Sequence, residues 1–580
     1  MLRSRQRILC VYAALLLFLA VGYASYDAYT MDGDGTAFMD IAAGLVGGHP
    51  GLAINGYWNP GYPAVLALGR VVLHANLANE YMVARWTNVG ILAFALFACW
   101  LFIQSLLALR KQALQDSAPA LSSTAMHLLA MAMLVMSMGR ELPLAAVRSD
   151  TLLLALLLIA AALVLRLQAG APRWLYALLG LTLGAAYLTK SFAFLPSVLL
   201  LLVMLAWPLV ARWKKLHARL TPAGAGVALL FFVVTAGPYV RAISRQLGHL
   251  TTGDSARMNY SFFVDQTPRW HEWFHHDLGH AGGTFVHPEK AVLSSPAVFS
   301  YAAHPVGTYP LWFDPAYWTA GLHPKVWMHG HLLRLVRCTE LMVRFLLARP
   351  EPIVLLLVLL LFGAAWPRSL RGWRWTAMPA LWGLSMLCIY FPVDLQDRYL
   401  TAPYFLILFT LFAVLEKDQR AERHSSSSTL VVLFAFLIAS QAVTSLLEMR
   451  RQNSIRNIHH GRDLDVIPAG EALLAMGIHP GDKLACLGSK ACYLDHYWAR
   501  RAGSQVLAEV EVPDGSQSMT YWNALGNQAQ VLETLHSLGA RALVVRLQQD
   551  GTPAKGWIEL GNTEFFVYPL DPALTPPARQ

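Results

Sequence analysis

Runs of apolar residues long enough to cross a lipid bilayer recur along most of this chain, and they limit its fold more than any other feature. A transmembrane helix needs about 20 largely apolar residues, because the hydrocarbon core is about 30 Å thick. About eleven segments approach this length: 8–26, 86–109, 125–138, 151–167, 174–188, 192–210, 223–239, 352–366, 375–391, 400–415 and 430–447. With 56% hydrophobic and only 14% charged residues, the sequence predicts an α-helical polytopic membrane protein.

The positions of the basic residues predict the orientation of these helices. Lys and Arg cluster in alternate connections between the predicted spans, at 3–7, 110–111, 166–173, 212–219, 368–374 and 417–423. Short loops rich in Lys and Arg stay in the cytoplasm, so the amino terminus is predicted inside and the carboxyl terminus outside. The net charge of +10 is then an orientation signal. It does not indicate nucleic-acid binding, because the basic residues form no single stripe.

The first span also fits a cleaved signal peptide, since basic residues precede it and the small residues Ala24 and Ser25 follow. Its apolar run is long for such a peptide, which favours an uncleaved anchor. Either interpretation leaves the next loop on the outer side.

Three large elements are predicted on the outer side: a first loop at 27–85, a second loop at 241–351 and a tail at 449–580. The chain therefore divides into a membrane module at 1–448 and an extracytoplasmic tail. The tail alternates helix-like segments (469–476, 528–538) with strand-like segments (483–487, 542–545, 564–568), which predicts a small α/β domain. Cys486 and Cys492 lie in the tail, on the oxidising side, but their spacing leaves open whether they pair.

Charged residues at the outer membrane boundary are the candidates for chemistry, because ionisable groups there are costly and tend to be functional. They stand at four positions: Asp32 with Asp34, Arg148 with Asp150, Lys190, and Asp394 with Asp397, Arg398 and Tyr399. Carboxylates and cations are thus expected at one membrane level, which suits an anionic lipid substrate.

Each of these positions has more than one interpretation. Asp32 and Asp34 fit a general base with its orienting partner, a divalent-cation site that also uses Asp150, or a solvated glycine-rich turn. Lys190 fits a phosphate ligand or a side chain that reaches the lipid headgroups. Arg398 fits a bidentate phosphate ligand or an ion-pair partner of the aspartate before it.

Aromatic and amide side chains in both outer loops are candidates for binding sugar or acceptor. Tyr57, Trp58 and Tyr62 lie in the first loop, and Asn259 and Tyr260 lie in the second. Rings stack on sugars, and amides hydrogen-bond to them. An interfacial aromatic belt or the folding of the loops would use the same residues.

The second loop contains two further patterns. Residues 271–275, His-Glu-Trp-Phe-His, match the HExxH signature of zinc proteases, in which two histidines on one helix face bind the metal. Pro268 just before this segment, glycines shortly after it and its position between membrane spans make a metalloprotease the less favoured interpretation. Segment 331–349 has the pattern of an amphipathic helix at the membrane interface.

In their order and sidedness these motifs resemble the GT-C polytopic glycosyltransferases, of the family 39-like, protein-mannosyltransferase and aminoarabinose-transferase kind. The resemblance spans about the first 420 residues. It rests on Asp32-Gly-Asp34, 41–45, the aromatic segment 55–63, Arg148-Ser-Asp150, Tyr187-Leu-Thr-Lys190 and Arg398-Tyr-Leu400. Many relatives place two acidic residues side by side in the first loop, whereas Gly33 separates them here, which leaves the base and any metal requirement open.

The resemblance implies a transferase that moves a sugar, with inversion, from a polyprenyl-phosphate donor to an acceptor on the outer face of the bacterial inner membrane. Asp34 would be the catalytic base, with Asp32 supporting it. Lys190 and Arg398 would bind the donor phosphate. The supporting residues would be Arg148, Asp150, Asp397 and Tyr399. The one candidate cofactor is a divalent cation, which the aspartates could bind, and the acceptor is a glycan, a glycolipid or a protein.

Two other classes of protein stay open. A transporter or flippase of a lipid-linked or anionic substrate would also carry ionisable residues among its helices, but the repeated halves and broken helices typical of transporters are not evident in the sequence. A structural or assembly subunit would account for the tail but not for acidic and basic residues gathered on one side. Loss of Asp34 tests the transferase, because a base is needed for transfer and not for donor binding.

Overall fold

The computed structural model of the protein describes residues 2–26, 31–114, 119–138, 141–213, 220–268, 278–288, 291–349, 376–415, 465–513, 515–547 and 553–574, with isolated residues at 352, 435, 443, 446, 447 and 450. The helices before the tail are α1 (Leu2–Tyr26), α2 (Gly33–Val46), α3 (Gly61–Val72), α4 (Glu80–Leu114), α5 (Ser123–Met138), α6 (Asp150–Gln168), α7 (Leu175–Thr189), α8 (Phe194–Trp213), α9 (Pro222–Leu247), α10 (Ser255–Phe263), α11 (Pro310–Phe313), α12 (Pro315–Trp318), α13 (Met328–Leu347), α14 (Ala377–Tyr390) and α15 (Asp397–Val414). Nine predicted spans coincide with helices of this set. The predicted spans 352–366 and 430–447 lie almost wholly outside the described residues.

Five of the described helices are long and apolar enough to cross a membrane: Gln6–Tyr23, Glu80–Arg110, Asp150–Gln168, Pro222–Leu247 and Asp397–Val414. This result agrees with the predicted multi-pass membrane protein. Helix α6 lies between α4 and α7 and is buried along most of its length. Helix α7 approaches α9 closely because Gly180 has no side chain: a Cβ there would lie 2.2 Å from the carbonyl oxygen of Ala228, and such small residues let membrane helices pack tightly.

The first loop is folded into helices that the sequence analysis did not predict. Helices α2 and α3 pack against each other, and the ring of Phe38 on α2 meets the rings of Trp58 and Tyr62 at centroid distances of 5.2 Å each. A Cβ on Gly35 would lie 3.1 Å from Cβ of Val147, three residues before α6. The start of α2 therefore lies against the start of α6, at the end of a membrane helix.

The predicted amphipathic segment 331–349 is confirmed as a helix, because most of it lies in α13. This helix exposes Leu332 and Val336 on its surface and buries Phe345. Arg334 of α13 forms an ion pair with Asp394, so α13 is joined to the turn that precedes α15.

The tail forms an α/β sheet domain, as predicted. It contains α16 (Val466–Ala475), α17 (Tyr497–Arg501), α18 (Ser518–Ala524) and α19 (Gln528–Ser537). Its strands are β5 (Lys483–Leu487), β6 (Gln505–Val510), β7 (Ala542–Arg546), β8 (Ile558–Glu559) and β9 (Phe565–Pro569). Each of the five predicted tail segments coincides with one of these elements, whereas the sequence does not predict α17, α18, β6 and β8. Cys486 and Cys492 form a disulfide with their Cα atoms 5.5 Å apart.

The sheet also recruits two strands from the second loop. That loop contains β1 (Gly282–Gly283), β2 (Ala291–Ser294), β3 (Ala297–Ser300) and β4 (Leu322–His323), and β1 pairs with β4. Among the described residues the larger sheet has the order β2-β3-β6-β5-β7-β9-β8, and β3 pairs antiparallel with β6. The second loop therefore contributes two strands to the sheet of the tail.

Candidate active site

The two first-loop aspartates stand at the amino end of α2 and have different partners. Asp32 caps the helix, since its Oδ1 accepts a hydrogen bond of 2.9 Å from the backbone nitrogen of Gly35, as N-cap aspartates do. Its Oδ2 accepts a 2.6 Å hydrogen bond from Nη2 of Arg148. Asp34, one residue into the helix, lines a cavity instead. Asp32 therefore caps the helix, whereas the carboxylate of Asp34 belongs to the cavity wall.

Gly33, which separates the two aspartates, is explained by packing. A Cβ on Gly33 would lie 2.3 Å from the ring of Trp312 in the second loop, so any side chain here would displace the tryptophan. The indole of Trp58 donates a 3.1 Å hydrogen bond to the carbonyl oxygen of Trp312. The glycine between the two aspartates thus allows the second loop to cover the start of α2.

Three further charged residues converge on the same cavity from three helix ends. Asp150 begins α6, Lys190 follows α7, and Arg398 lies in the first turn of α15. Lys190 Nζ donates a 2.6 Å hydrogen bond to Asp150 Oδ1. Arg398 Nη1 lies 3.6 Å from Asp150 Oδ2 and 3.7 Å from Asp34 Oδ2. The structure therefore joins residues from 34 to 398 in one ion-pair network.

Lys190 and Arg398 differ in how fully they are engaged. Lys190 is held by its short hydrogen bond to Asp150 and lies over the ring of Tyr399, 4.3 Å from the centroid. Arg398 donates through Nε to Oε1 of Gln396 at 2.9 Å, while its contacts with the two carboxylates exceed hydrogen-bond length. Arg398 is therefore the better placed of the two to receive an anion through several N–H donors.

The turn that carries Lys190 is fixed by Asn59, a residue that the sequence analysis did not single out. Its Nδ2 donates to the carbonyl oxygen of Tyr187 at 2.9 Å, and its Oδ1 accepts from the backbone nitrogen of Ser191 at 3.0 Å. A Cβ on Gly61 would lie 2.7 Å from the carbonyl oxygen of Leu188. The segment Asn55-Gly-Tyr-Trp-Asn-Pro-Gly thus joins the first loop to the end of α7. Its density of turn residues is the sequence feature that indicates a fixed loop here.

These residues surround a cavity of about 490 Å³, within the usual size range of small-molecule sites. One part of its wall is charged, with Asp34, Arg148, Asp150, Lys190 and Arg398. Another part is apolar and aromatic, with Phe192, Phe194, Leu195, Ile389, Tyr390 and Val393. The rings of Phe192, Tyr390 and Tyr399 form a continuous stack with centroid distances of 3.7 and 4.7 Å. The cavity is suited to a ligand with an anionic head and an apolar chain.

Most of the predicted site residues line this cavity, and four do not. Tyr57, Trp58, Asn259 and Tyr399 belong to its wall together with the charged residues. Asp32 lies behind the wall, bound to Arg148. Tyr62 is fully buried, and its hydroxyl donates to Asn88 Oδ1 at 2.8 Å. Tyr260 bonds to Nε2 of His331 at 2.7 Å, and Asp397 is exposed.

These positions correct two expectations. The ring of Tyr62 has no free face for a sugar, because it packs on Phe38 in the core of the first loop. Arg398 forms its ion pairs with Asp34 and Asp150 and not with the neighbouring Asp397. The HExxH segment at 271–275 lies outside the described residues, so the interpretation as a zinc site stays untested.

The three aspartates proposed as metal ligands do not converge on one point. Among the described residues, the only close group of three or more potential ligands is Cys486, Cys492 and Glu509, and both of its sulfur atoms belong to the disulfide. Each of Asp32, Asp34 and Asp150 instead faces an arginine or a lysine. The arrangement is that of an ion-pair network with an acidic member on the cavity wall.

The surroundings of Asp34 change its acidity. Burial and, to a smaller extent, the negative charge of Asp32 raise the pKa of its carboxyl, Arg398, Arg148 and Lys190 lower it, and the net result is a pKa of about 6. A carboxylate with a pKa near neutrality is ionised at pH 7 and still accepts a proton readily, which is the property of a general base. Asp34 is therefore a carboxylate of the cavity wall whose pKa lies near neutrality.

Comparison with known proteins identifies the fold. No family profile matches the chain, and no curated protein matches it by sequence. The crystal structure of ArnT from Cupriavidus metallidurans bound to undecaprenyl phosphate matches with a TM-score of 0.50 and 12% identity, over 98% of this chain and 99% of that one. The chain therefore has the GT-C-like fold that the sequence resemblance predicted.

Two further structures match at lower scores. Apo ArnT from the same organism has a TM-score of 0.48 at 13% identity, over 98% of this chain and 99% of that one. An oligosaccharyltransferase of Archaeoglobus fulgidus tethered with an acceptor peptide has a TM-score of 0.41 at 10% identity, over 92% of this chain and 69% of that one.

Proposed function

We propose that this protein is a membrane glycosyltransferase that transfers a sugar from a polyprenyl-phosphate donor to a cell-envelope acceptor, with inversion at the transferred sugar. The observation that carries the proposal is the single cavity in which Asp34, Arg398 and an apolar wall meet. These three elements supply a base, an anion-binding group and a surface for an isoprenoid chain.

The donor is assigned to the cavity by its chemistry. Its phosphate binds Arg398, with Lys190 as a second cation, and its isoprenoid chain lies along Phe192, Leu195 and Ile389. The match to ArnT bound to undecaprenyl phosphate supports a lipid phosphate as the ligand of this fold. The amide of Asn259 and the ring of Tyr57, which lie 3.5 Å apart at their polar atoms, are assigned to the sugar or acceptor.

In the reaction, Asp34 accepts the proton of the acceptor hydroxyl as that oxygen attacks the anomeric carbon. The bond between the anomeric carbon and the phosphate oxygen breaks, and its electron pair leaves with the phosphate. Arg398 stabilises the charge that develops on the phosphate, an effect that is strong in a partly dry site. A single displacement of this kind inverts the configuration. Asp32 orients Arg148 and lowers the acidity of Asp34 by its charge.

We place the cavity on the outer face of the bacterial inner membrane, with the amino terminus in the cytoplasm. The alternation of basic connections with the apolar spans supports this orientation. The Cys486–Cys492 disulfide supports an oxidising compartment for the tail.

The proposal is tested with full-length protein in liposomes that contain radiolabelled polyprenyl-phosphate sugars, to which envelope glycolipid, glycan and protein fractions are added separately. We expect label to move to one fraction, which also names the acceptor class. Movement of labelled lipid between leaflets with no labelled acceptor would instead identify a flippase.

The rate of transfer should depend on pH in a way that reports Asp34. Because the base must be ionised, kcat/KM should fall as the pH drops below about 6, the pKa of Asp34 in the free protein. The positive charge of Arg398 lowers the pKa of Asp34. Because a bound donor phosphate would cancel part of that charge, the pKa of Asp34 should be higher in the donor complex, and the acidic limb of kcat should lie at higher pH than that of kcat/KM. Initial rates between about pH 5 and pH 8 measure both limbs, and flat profiles would contradict the assignment.

A further inference from the structure

We infer that the tail domain is part of the catalytic unit, and that Arg500 of the tail is a positioning residue that holds helix α2 and thereby Asp34. The inference rests on the proposed function for its catalytic consequence. It assigns a role to the tail, none of whose described residues lies on the cavity wall.

Arg500 reaches out of the tail into the first loop. It lies in α17 and is 6% exposed. Its Nε and Nη2 donate to Oε1 and Oε2 of Glu80 at 2.8 and 2.9 Å, and its Nη2 also contacts the carbonyl oxygen of Met39 at 3.1 Å. Its Nη1 forms an ion pair with Asp40. One guanidinium therefore binds the start of α4 and the middle of α2 at once, a geometry that lysine cannot reproduce.

Asp40 receives the second loop as well. The backbone nitrogen and the hydroxyl of Thr308 donate to its two carboxylate oxygens at 2.8 Å each. Glu80 is further paired with Arg70 at 2.6 Å. The first loop, the second loop and the tail thus meet at one buried ion cluster on α2, six residues after Asp34.

A second contact between the tail and α2 lies at the first turn of that helix. Trp312 lies over Gly33, as described above, and the rings of Tyr493 and His496 in the tail lie against Trp312 at centroid distances of 4.7 and 6.4 Å. The tail therefore supports α2 at its first turn through Trp312 and at its middle through Arg500. Two separated contacts restrain both the translation and the rotation of a helix.

The restraint matters because Asp34 must meet its partners from other helices. Asp34 lies 3.7 Å from Arg398, and Arg398 belongs to α15, which has no covalent link to α2 nearby. Displacement of a reacting group by about 1 Å can cost about 100-fold in rate. Loss of Arg500 should therefore lower the rate of the chemical step more than it weakens donor binding.

The chain offers a matched control in Arg501. This neighbour lies in the same helix and is 7% exposed, but its Nη2 donates to Glu471 of α16, inside the tail, at 2.6 Å. Arg500→Met and Arg501→Met each remove one buried arginine of α17, and only the first removes a contact with α2. Arg500→Lys keeps the positive charge but lacks the planar set of N–H donors of arginine. It is the conservative variant to use if Arg500→Met does not fold.

The test combines transfer kinetics with hydrogen–deuterium exchange of peptides from α2 and from β5 in the full-length protein. For Arg500→Met we expect about a 100-fold loss of kcat, a donor KM within about threefold of wild type, and faster exchange in α2 with β5 unchanged. Arg500→Lys should recover part of the rate and part of the protection of α2. Arg501→Met should leave kcat and the exchange of α2 as in the wild type.

Two results would overturn the inference: Arg500→Met with wild-type exchange in α2, or Arg500→Met and Arg501→Met with equal losses of kcat. The second result would mean that Arg500 supports only the folding of the tail. If the wild type transfers no sugar, the proposed function fails, and the exchange of α2 still decides whether Arg500 holds that helix.

Discussion

Asp34→Asn should lower the rate of sugar transfer by about 1,000-fold while the protein still binds the polyprenyl-phosphate donor. Asparagine has nearly the shape of aspartate but cannot take up the acceptor proton. The helix cap should survive, because Asp32 and not Asp34 accepts the hydrogen bond from Gly35. Single-turnover transfer measures the chemical step, and retention of radiolabelled donor on immobilised protein measures binding.

Asp397→Asn is the control for this variant. It removes one carboxylate at the same end of α15 as Arg398, but from an exposed side chain that does not line the cavity, so transfer should stay within about twofold of wild type. If Asp34→Asn transferred sugar at the wild-type rate, Asp34 would not be the base. If it lost donor binding in proportion to transfer, the carboxylate would hold substrate and not move a proton.

Arg398→Gln should reduce kcat/KM by about 100-fold to 1,000-fold, the usual loss when one group that stabilises a developing anion is removed. The Nη1 atom of Arg398 lies 3.7 Å from Asp34 and 3.6 Å from Asp150, so Arg398 has no direct hydrogen bond to either carboxylate. Both the affinity for the donor and the rate of phosphate departure should fall. Arg398→Lys should restore little, because a lysine offers a point charge in place of the planar fork.

The same variant has a second readout that a general loss of structure would not produce. Arg398 is one of the charges that lower the pKa of Asp34, so its removal should raise that pKa and move the acidic limb of the remaining activity to higher pH. Arg337→Gln is the matched control. It removes an exposed arginine paired with Glu340 on the surface of α13, which should change neither the rate nor the profile. If the acidic limb of Arg398→Gln lay at the same pH as in the wild type, the charge of Arg398 would not act on the group that titrates there.

The candidate site was predictable from the sequence to the extent that it depends on membrane boundaries. Asp34, Asp150, Lys190 and Arg398 each stand where an apolar run begins or ends, and helix ends on one side of a membrane lie at one level. Which of two neighbouring acids faces the cavity was not predictable. A helix start at Gly33 makes Asp32 the cap and leaves Asp34 for the wall, and that start is set by contacts with Arg148 and Trp312.

Other roles depend entirely on partners far away in the chain. Tyr62 matches a sugar-binding aromatic by its position, yet its surroundings, Phe38 and Asn88, make it a core residue. Asn59 stands in a segment rich in turn residues, but that segment does not indicate its partners Tyr187 and Ser191. Arg500 belongs to no recognisable motif, and its partners Asp40 and Glu80 lie more than 400 residues away in the chain. No local pattern records such pairings.

The sequence by itself determined that this chain is a multi-pass helical membrane protein with an α/β tail, because the length of an apolar run and the alternation of polar and apolar residues are local properties that solvent and lipid select directly. Only the tertiary structure decided that Asp34 lines the cavity, that Arg398 lies between Asp34 and Asp150 without a direct hydrogen bond to either, and that the second loop and the tail share one sheet. Those results depend on side chains separated by up to several hundred residues that meet only when the helices pack, and packing follows the shapes and charges of the partners and not the order of the chain.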